Sequence, residues 1–293
     1  MGVLRFDLSD GPLRAEHERL LRTVLRRGAA APERQPDEQI DIASLDPTTV
    51  RAARRVWRQR MVNEHQSATV FSRLLPQLIE AEASLDTKTS VLRMSMDELR
   101  HGALCADVVT ALGGTPTMEM NLESQPLPEH PGCTPLERVL RNAMFVGCLA
   151  ETVAVAFTAE ERELTTDPFV RRVIGQISAD EVLHARFGWA FAKEAVPELD
   201  DAARTRTHRW LSVAFAFLEQ ESMREVPSAF PPGELVAQGQ SVGLCHNPET
   251  RRLFYETVAD AIVPGLEALG LHAQRAWDRR HFAARQPGDD VTC

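Results

Sequence analysis

Asp97-Glu98-Leu99-Arg100-His101 and Asp180-Glu181-Val182-Leu183-His184 decide how this chain is read. Each string is an acidic pair followed by a histidine. In each, the second acid and the histidine stand three residues apart, which on a helix puts carboxylate and imidazole on one face. Two histidines so placed match metal-ligand spacing, provided that other helices bring carboxylates to the same height.

Working outward from the first string, the periodicity predicts a helix from about Asp86 to Leu112, stopped by Gly113-Gly114. Its inward stripe reads Val91, Met94, Glu98, His101, Cys105, Val108, Leu112. The helix before it opens on Asp46-Pro47, an N-cap with proline at the first helical position, and extends to about Ala83 with a kink expected at Pro76. Its stripe of Trp57, Met61, Ala68, Phe71 and Leu75 has one gap, and Glu64 fills it. Downstream, Thr134-Pro135-Leu136-Glu137 is a capping box that opens a third helix to about Leu164. That stripe, Leu140, Met144, Cys148, Glu151, Val155, Thr158, again carries one acid. The second string then sits on a fourth helix, capped by Asp167-Pro168 and closed by Pro197, whose stripe is Val170, Ile174, Ile177, Glu181, His184, Gly188, Phe191. The two halves share one order: a helix with a single core acid, then a helix with Glu-x-x-His.

The remainder divides into an N-terminal extension and linker over residues 1–45, with a short helix expected near Pro12 to Arg27, and further helices over 197–293. No alternating β-branched run of useful length appears, so the expected class is all-α, with no strands. The 33 Lys and Arg are outnumbered by 42 Asp and Glu, a net charge of −9, which argues against nucleic acid or an anionic membrane as the main partner. Five cysteines without a Cys-x-x-Cys pair signal neither a disulfide framework nor a thiolate metal site. The most apolar run, Ala143 to Ala159, is interrupted by Glu151, and the first residues lack an apolar signal segment. A cytoplasmic protein without a membrane span is the expectation.

A core carboxylate without a partner is costly, so an acid on an inward stripe normally implies a cation or a hydrogen-bond network. Glu64, Glu98, Glu151 and Glu181 with His101 and His184 supply oxygen and imidazole ligands for two first-row divalent metals. On these residues the chain resembles the ferritin-like non-haem di-iron carboxylate proteins over roughly residues 46–196. The resemblance implies a four-helix bundle in which Glu64 binds one iron and Glu151 the other. Glu98 and Glu181 bridge, each histidine completes one iron, and Asp97 and Asp180 each accept a hydrogen bond from the histidine of the opposite helix. Iron is the implied metal, with manganese or a mixed pair open, and dioxygen the co-substrate.

Subfamilies separate on single positions. Leu99 stands where bacterioferritin-like proteins carry a haem-binding methionine, Ala154 and Val155 where hydroxylases carry an active-site threonine, and Ile177 where arylamine N-oxygenases carry an extra histidine. The roughly 100 residues after Pro197 favour an O2-dependent monooxygenase or oxidase acting on a small organic substrate. An external electron donor and a homodimeric assembly are further expectations. The alternative is a ferroxidase or peroxide-scavenging iron protein without an organic substrate. His65, next to Glu64, falls off the inward face and reads as a neighbour or surface histidine, and Glu160, Glu161 and Glu163 read as a solvated helix end.

Overall fold

The computed structural model describes residues 2–5, 40–120, 123, 126–225, 233–245 and 247–283. Among the described residues it is all-α, about 81% helical with eight helices. The expected helix at Pro12 to Arg27 and the linker after it lie outside the described residues.

Four long helices carry the two strings and the two core acids that accompany them. Helix α1 spans Pro47–Glu80, α2 Leu85–Ala111, α3 Pro135–Leu164 and α4 Pro168–Ala195. All four begin where a side-chain oxygen takes up an otherwise unpaired backbone amide of the first turn, a contact that stabilises a helix by about 1 kcal/mol, and in α2 it is Ser84 that accepts from Thr87. Asp46 accepts from the Thr48 amide at 2.7 Å, Thr134 from Glu137 at 3.2 Å and Asp167 from Val170 at 2.9 Å. Helix α1 lies along α2 and α3 along α4, while α2 meets α4 and α1 meets α3 across these pairs. Pro76 sits inside α1, and beyond Phe71 its buried positions are Leu74, Gln77 and Leu78 in place of the expected Leu75.

Helix α3 contains a π-helical segment, Met144–Ala150, that ends immediately before Glu151. The added residue per turn rotates the downstream half of the helix, so the segment sets where Glu151 points. At the same level α3 and α4 touch backbone to backbone. A Cβ on Gly147 would stand 2.5 Å from the Gly188 Cα, so only glycine fits at this crossing. Helix α3 is long and apolar enough to cross a membrane by composition, but 44% of its most apolar window is buried in the fold.

Helices α5 (Asp201–Glu225), α6 (Val236–Ser241), α7 (Asn247–Thr257, continuing as Val258–Ile262 and Val263–Ala268) and α8 (Ala273–Ala283) complete the fold. Leu211, Phe215, Phe254 and Leu266 from these helices join Phe71, Met94, Leu140, Met144 and Phe191 in one apolar cluster. A second cluster holds Trp57, Met61, Cys105, Val109, Ile174, Val242 and Leu244. Each fully buried side chain of this size contributes about 1.5–3 kcal/mol. Gly243, with φ +81°, turns the chain under Trp57, whose indole Nε1 donates to the Val242 carbonyl at 2.9 Å.

Two expectations are corrected here. The chain does contain strands: β1 (Gly2–Arg5) pairs antiparallel with β2 (Thr117–Met120), Gly2 opposite Met120 and Arg5 opposite Thr117. Four residues are too few for an alternation pattern to register in the sequence. Glu161 is not solvated. It is buried at 7% exposure because Arg60 of α1 reaches it, Nη2 to Oε1 2.5 Å.

Candidate metal centre

The six predicted residues converge between the two apolar clusters. Two groups form, Glu64, Glu98, His101 and Glu181 on one side, and Glu98, Glu151, Glu181 and His184 on the other. Within each group one potential ligand atom per residue lies within 4.8 Å of all the others, close enough to hold a metal ion. Glu98 and Glu181 belong to both. His101 and His184 are fully buried, and Glu98, Glu151 and Glu181 are buried as well; only Glu64, whose side chain is 12% exposed, retains some contact with solvent.

Both imidazoles turn Nδ1 toward the carboxylates. His101 Nδ1 lies 3.4 Å from Glu64, 3.6 Å from Glu181 and 3.8 Å from Glu98. His184 Nδ1 lies 3.0 Å from both Glu98 and Glu181. The rings are 5.8 Å apart between centroids, and the edge of Phe71 packs against His184 at 5.3 Å. His101 Nδ1 and Glu98 Oε1 lack a hydrogen bond of good geometry. Buried polar atoms without partners are rare, and both of these belong to groups whose acids and histidines converge from several helices, as an ion site requires.

Outside the ring of ligands the histidines meet Asp97 and Asp180. His101 Nε2 donates to Asp180 Oδ2 at 3.1 Å, and His184 Nε2 lies 3.6 Å from Asp97 Oδ2. The Arg100 guanidinium links the two, hydrogen-bonded to Asp180 and 3.6 Å from Asp97. Gln176 adds a 3.1 Å bond to Asp180, and Arg93 a 3.2 Å bond to Asp97. Arg100 is buried at 4% exposure, and nothing in the five-residue string marks it as a bridge between helices.

Crowding shifts the protonation of Glu64, Glu151 and Glu181. Burial, reinforced by the charges of Glu98 and Glu181 against the opposing pull of His101, pushes Glu64 up to about 8. Burial and the nearby Glu181 push Glu151 well above the carboxylate range. Burial also works against Glu181, but its bond to His184 and the charges of His184 and His101 outweigh that and hold it down at about 2. For His101, burial favours the neutral ring, yet Asp180, Glu64 and Glu98 overcome it and raise the imidazole well above its ordinary value. His184 is raised in the same way by Asp97, Glu181 and Glu98. Without a cation, protons take over the charge balancing, which is the behaviour of a site that exchanges protons for metal.

Compared with family models, with curated proteins and with solved structures, the chain matches none. The site therefore rests on its own geometry.

His65 stays outside both groups, half-buried. Asp278 and His281 near the end of the chain, a spacing similar to the two strings, are remote from the centre; His281 is 67% exposed beside Glu219. His17 lies outside the described residues. A cleft of about 370 Å³ opens between α2 and α4. Its lining mixes apolar Met94, Leu183, Phe187 and Phe191 with charged Asp86, Arg93, Arg186 and Glu194, and it includes Asp97 and His184.

Proposed function

We propose that this chain is a ferritin-like, non-haem, two-metal oxidoreductase that uses dioxygen to oxidise a small organic molecule, as a monooxygenase or oxidase. The observation that carries the reading is the pair of overlapping ligand groups sharing Glu98 and Glu181. One carboxylate cluster with one histidine suits a single structural ion. Two clusters with two shared carboxylates suit two ions held side by side.

In this reading Glu64, Glu98 and His101, with Glu181, hold one ion, and Glu151 and His184, with the same shared pair, hold the other. Iron, with manganese as the competing occupant of the same donors, supplies electrons to dioxygen when bound. The protein's own part is to place and insulate. Asp180 fixes the tautomer of His101 by accepting a hydrogen bond from Nε2–H, which leaves Nδ1 to face the carboxylates. Arg100 neutralises Asp97 and Asp180 together, so both imidazoles keep their orientation. Phe71 and the two apolar clusters keep water from the centre. The cleft supports an organic substrate because Met94, Leu183, Phe187 and Phe191 give it an apolar side and His184 of the centre is among its lining residues.

A second reading, oxidation of iron or reduction of peroxide without an organic substrate, draws on one observation. The cleft is lined by Asp97 and His184 but by neither Glu64 nor Glu151. Anaerobic loading with ferrous iron and then exposure to oxygen separates the two. The proposed function predicts oxygen uptake coupled to an oxygenated or dehydrogenated product from a panel of small molecules, read by mass spectrometry. Free turnover of added iron with no organic product at any stage would sink it and leave the second reading.

A further inference from the structure

Two histidines outside the centre meet where α5 packs against the turn between α7 and α8. The rings of His208 and His272 lie 4.5 Å apart between centroids, tilted by 43°. The backbone under His272 is fixed on both sides. Helix α7 ends through Gly270, at φ +77°, with the Gly270 amide bonded to the Glu267 carbonyl at 2.9 Å and the Leu271 amide to the Leu266 carbonyl at 3.1 Å. Leu271 is fully buried, and His272 follows as the last residue before α8. The Ala276 amide bonds back to the His272 carbonyl at 3.1 Å, and the Glu267 side chain accepts from the Gln274 amide at 2.8 Å. His208 is half-buried and donates to the Gly270 carbonyl. Its Nε2 is shut away from solvent without a hydrogen-bond partner, so the donor is Nδ1 and Nε2 carries a free lone pair. One ring nitrogen tied to a backbone carbonyl while the other stands bare is the arrangement of a metal-binding imidazole. Burial, with His272 and Arg204 nearby, holds His208 below its ordinary value despite the Gly270 bond, so the ring is neutral at pH 7.

We propose that His208 and His272 form a separate metal site for one late first-row divalent ion, Cu2+, Ni2+ or Zn2+, bound through both imidazoles with water completing its shell. Metal–nitrogen bonds of about 2.0–2.1 Å in a tetrahedral site set two ligand nitrogens about 3.3 Å apart. Rings 4.5 Å apart reach that spacing by rotation, and His272, being exposed, rotates without moving the backbone. The donors also separate this site from the central one. An imidazole pair favours copper, nickel and zinc, whereas a centre rich in carboxylates admits iron and manganese. Glu267 places a negative charge near the pair, opposing that of Arg204, whose guanidinium is bonded to the Val196 carbonyl at 3.1 Å. The bound ion ties α5 to the turn that starts α8, and so fixes helices whose Phe215 and Leu266 pack in the apolar cluster with Phe71.

Copper titration of the full chain, followed by electron paramagnetic resonance, tests this. The Glu98→Ala chain, which lacks a shared carboxylate of the centre, still takes up one Cu2+ with hyperfine splitting from two nitrogens. Adding His208→Gln or His272→Gln lowers the affinity of that equivalent about 100-fold, because the second imidazole no longer closes the chelate. Adding His281→Gln, at another exposed histidine, leaves it unchanged. Equal copper affinity with and without His272→Gln overturns the proposal, and so does a spectrum without the two-nitrogen splitting. A second measurement needs no change at the centre. Ni2+ raises the melting temperature of the wild-type chain more than that of His272→Gln, and equal shifts in the two overturn the proposal as well.

Discussion

His101 and His184 occupy the same place in the same five-residue string, yet their outer nitrogens meet different surroundings. His101 donates to Asp180 at 3.1 Å, and Asp180 is itself held by Gln176 and Arg100. His184 faces Asp97 at 3.6 Å, and both line an open cleft. The difference comes from what packs against each string. Gln176 stands four residues before Asp180, whereas the corresponding place before Asp97 is Arg93, which draws Asp97 toward the cleft. An identical ligand motif therefore yields a firmly backed half and a looser, more accessible one.

The comparison breaks first at the shared carboxylates. Glu98→Ala and Glu181→Ala each remove a member of both groups, so metal content falls from about two ions per chain to nearly none. Glu64→Ala or Glu151→Ala removes a member of one group and leaves about one ion. Elemental analysis after loading and desalting reads both, and full metal content in Glu98→Ala would remove the assignment of the centre.

The next effect sharpens the asymmetry. Asp180→Asn lowers the affinity of the His101 side about 10–100-fold, or about 1.4–2.8 kcal/mol. Asp97→Asn lowers that of the His184 side by less, because the contact it loses is already long. Competition with a chelator gives both constants, and equal losses would show that the two halves are backed alike.

The smallest effect is in pH. Glu64 has an ordinary value of 4.5 and sits at about 8 in the folded chain. Between these values the folded metal-free protein holds a proton that the unfolded chain has released. His101 and His184, raised above 6.5, do the same at higher pH. A group whose folded value is raised loses its stabilising contribution as pH climbs, so the metal-free melting temperature falls by a few degrees between about pH 6 and 9. In the loaded protein the ligands are already deprotonated and the decline disappears. A metal-free melting curve that is flat or rises over this range contradicts the protonation pattern.

Much of the fold and of the centre is legible in the sequence because helices write their inward face into it. The capping signals and the acids at Glu64, Glu98, Glu151 and Glu181 stem from a period of 3.6 and from the cost of a buried charge. What escapes depends on partners distant in the chain. Glu161 resembles its exposed neighbours until Arg60 arrives from α1. The Met144–Ala150 segment and the contact of Gly147 with Gly188 have no local signature beyond two small residues. Arg100 reads as a salt-bridge partner for some nearby acid, and only the fold places it between Asp97 and Asp180. Likewise Gly2–Arg5 becomes a strand because Thr117–Met120 is available as its partner.

The position of the six acids and histidines, with oily packing above and below them, also has a mechanical consequence. Apolar layers alone tolerate one helix sliding past another, since leucine and valine exchange neighbours at small cost. Here a slip of α2 against α4 by one turn, about 5.4 Å, would push Glu98 and Glu181 among residues such as Met94 and Ile177 and strand them there. The centre thus serves as a key in a keyway. It allows one axial alignment of the four helices, and the same acids and histidines record that alignment each time the chain folds.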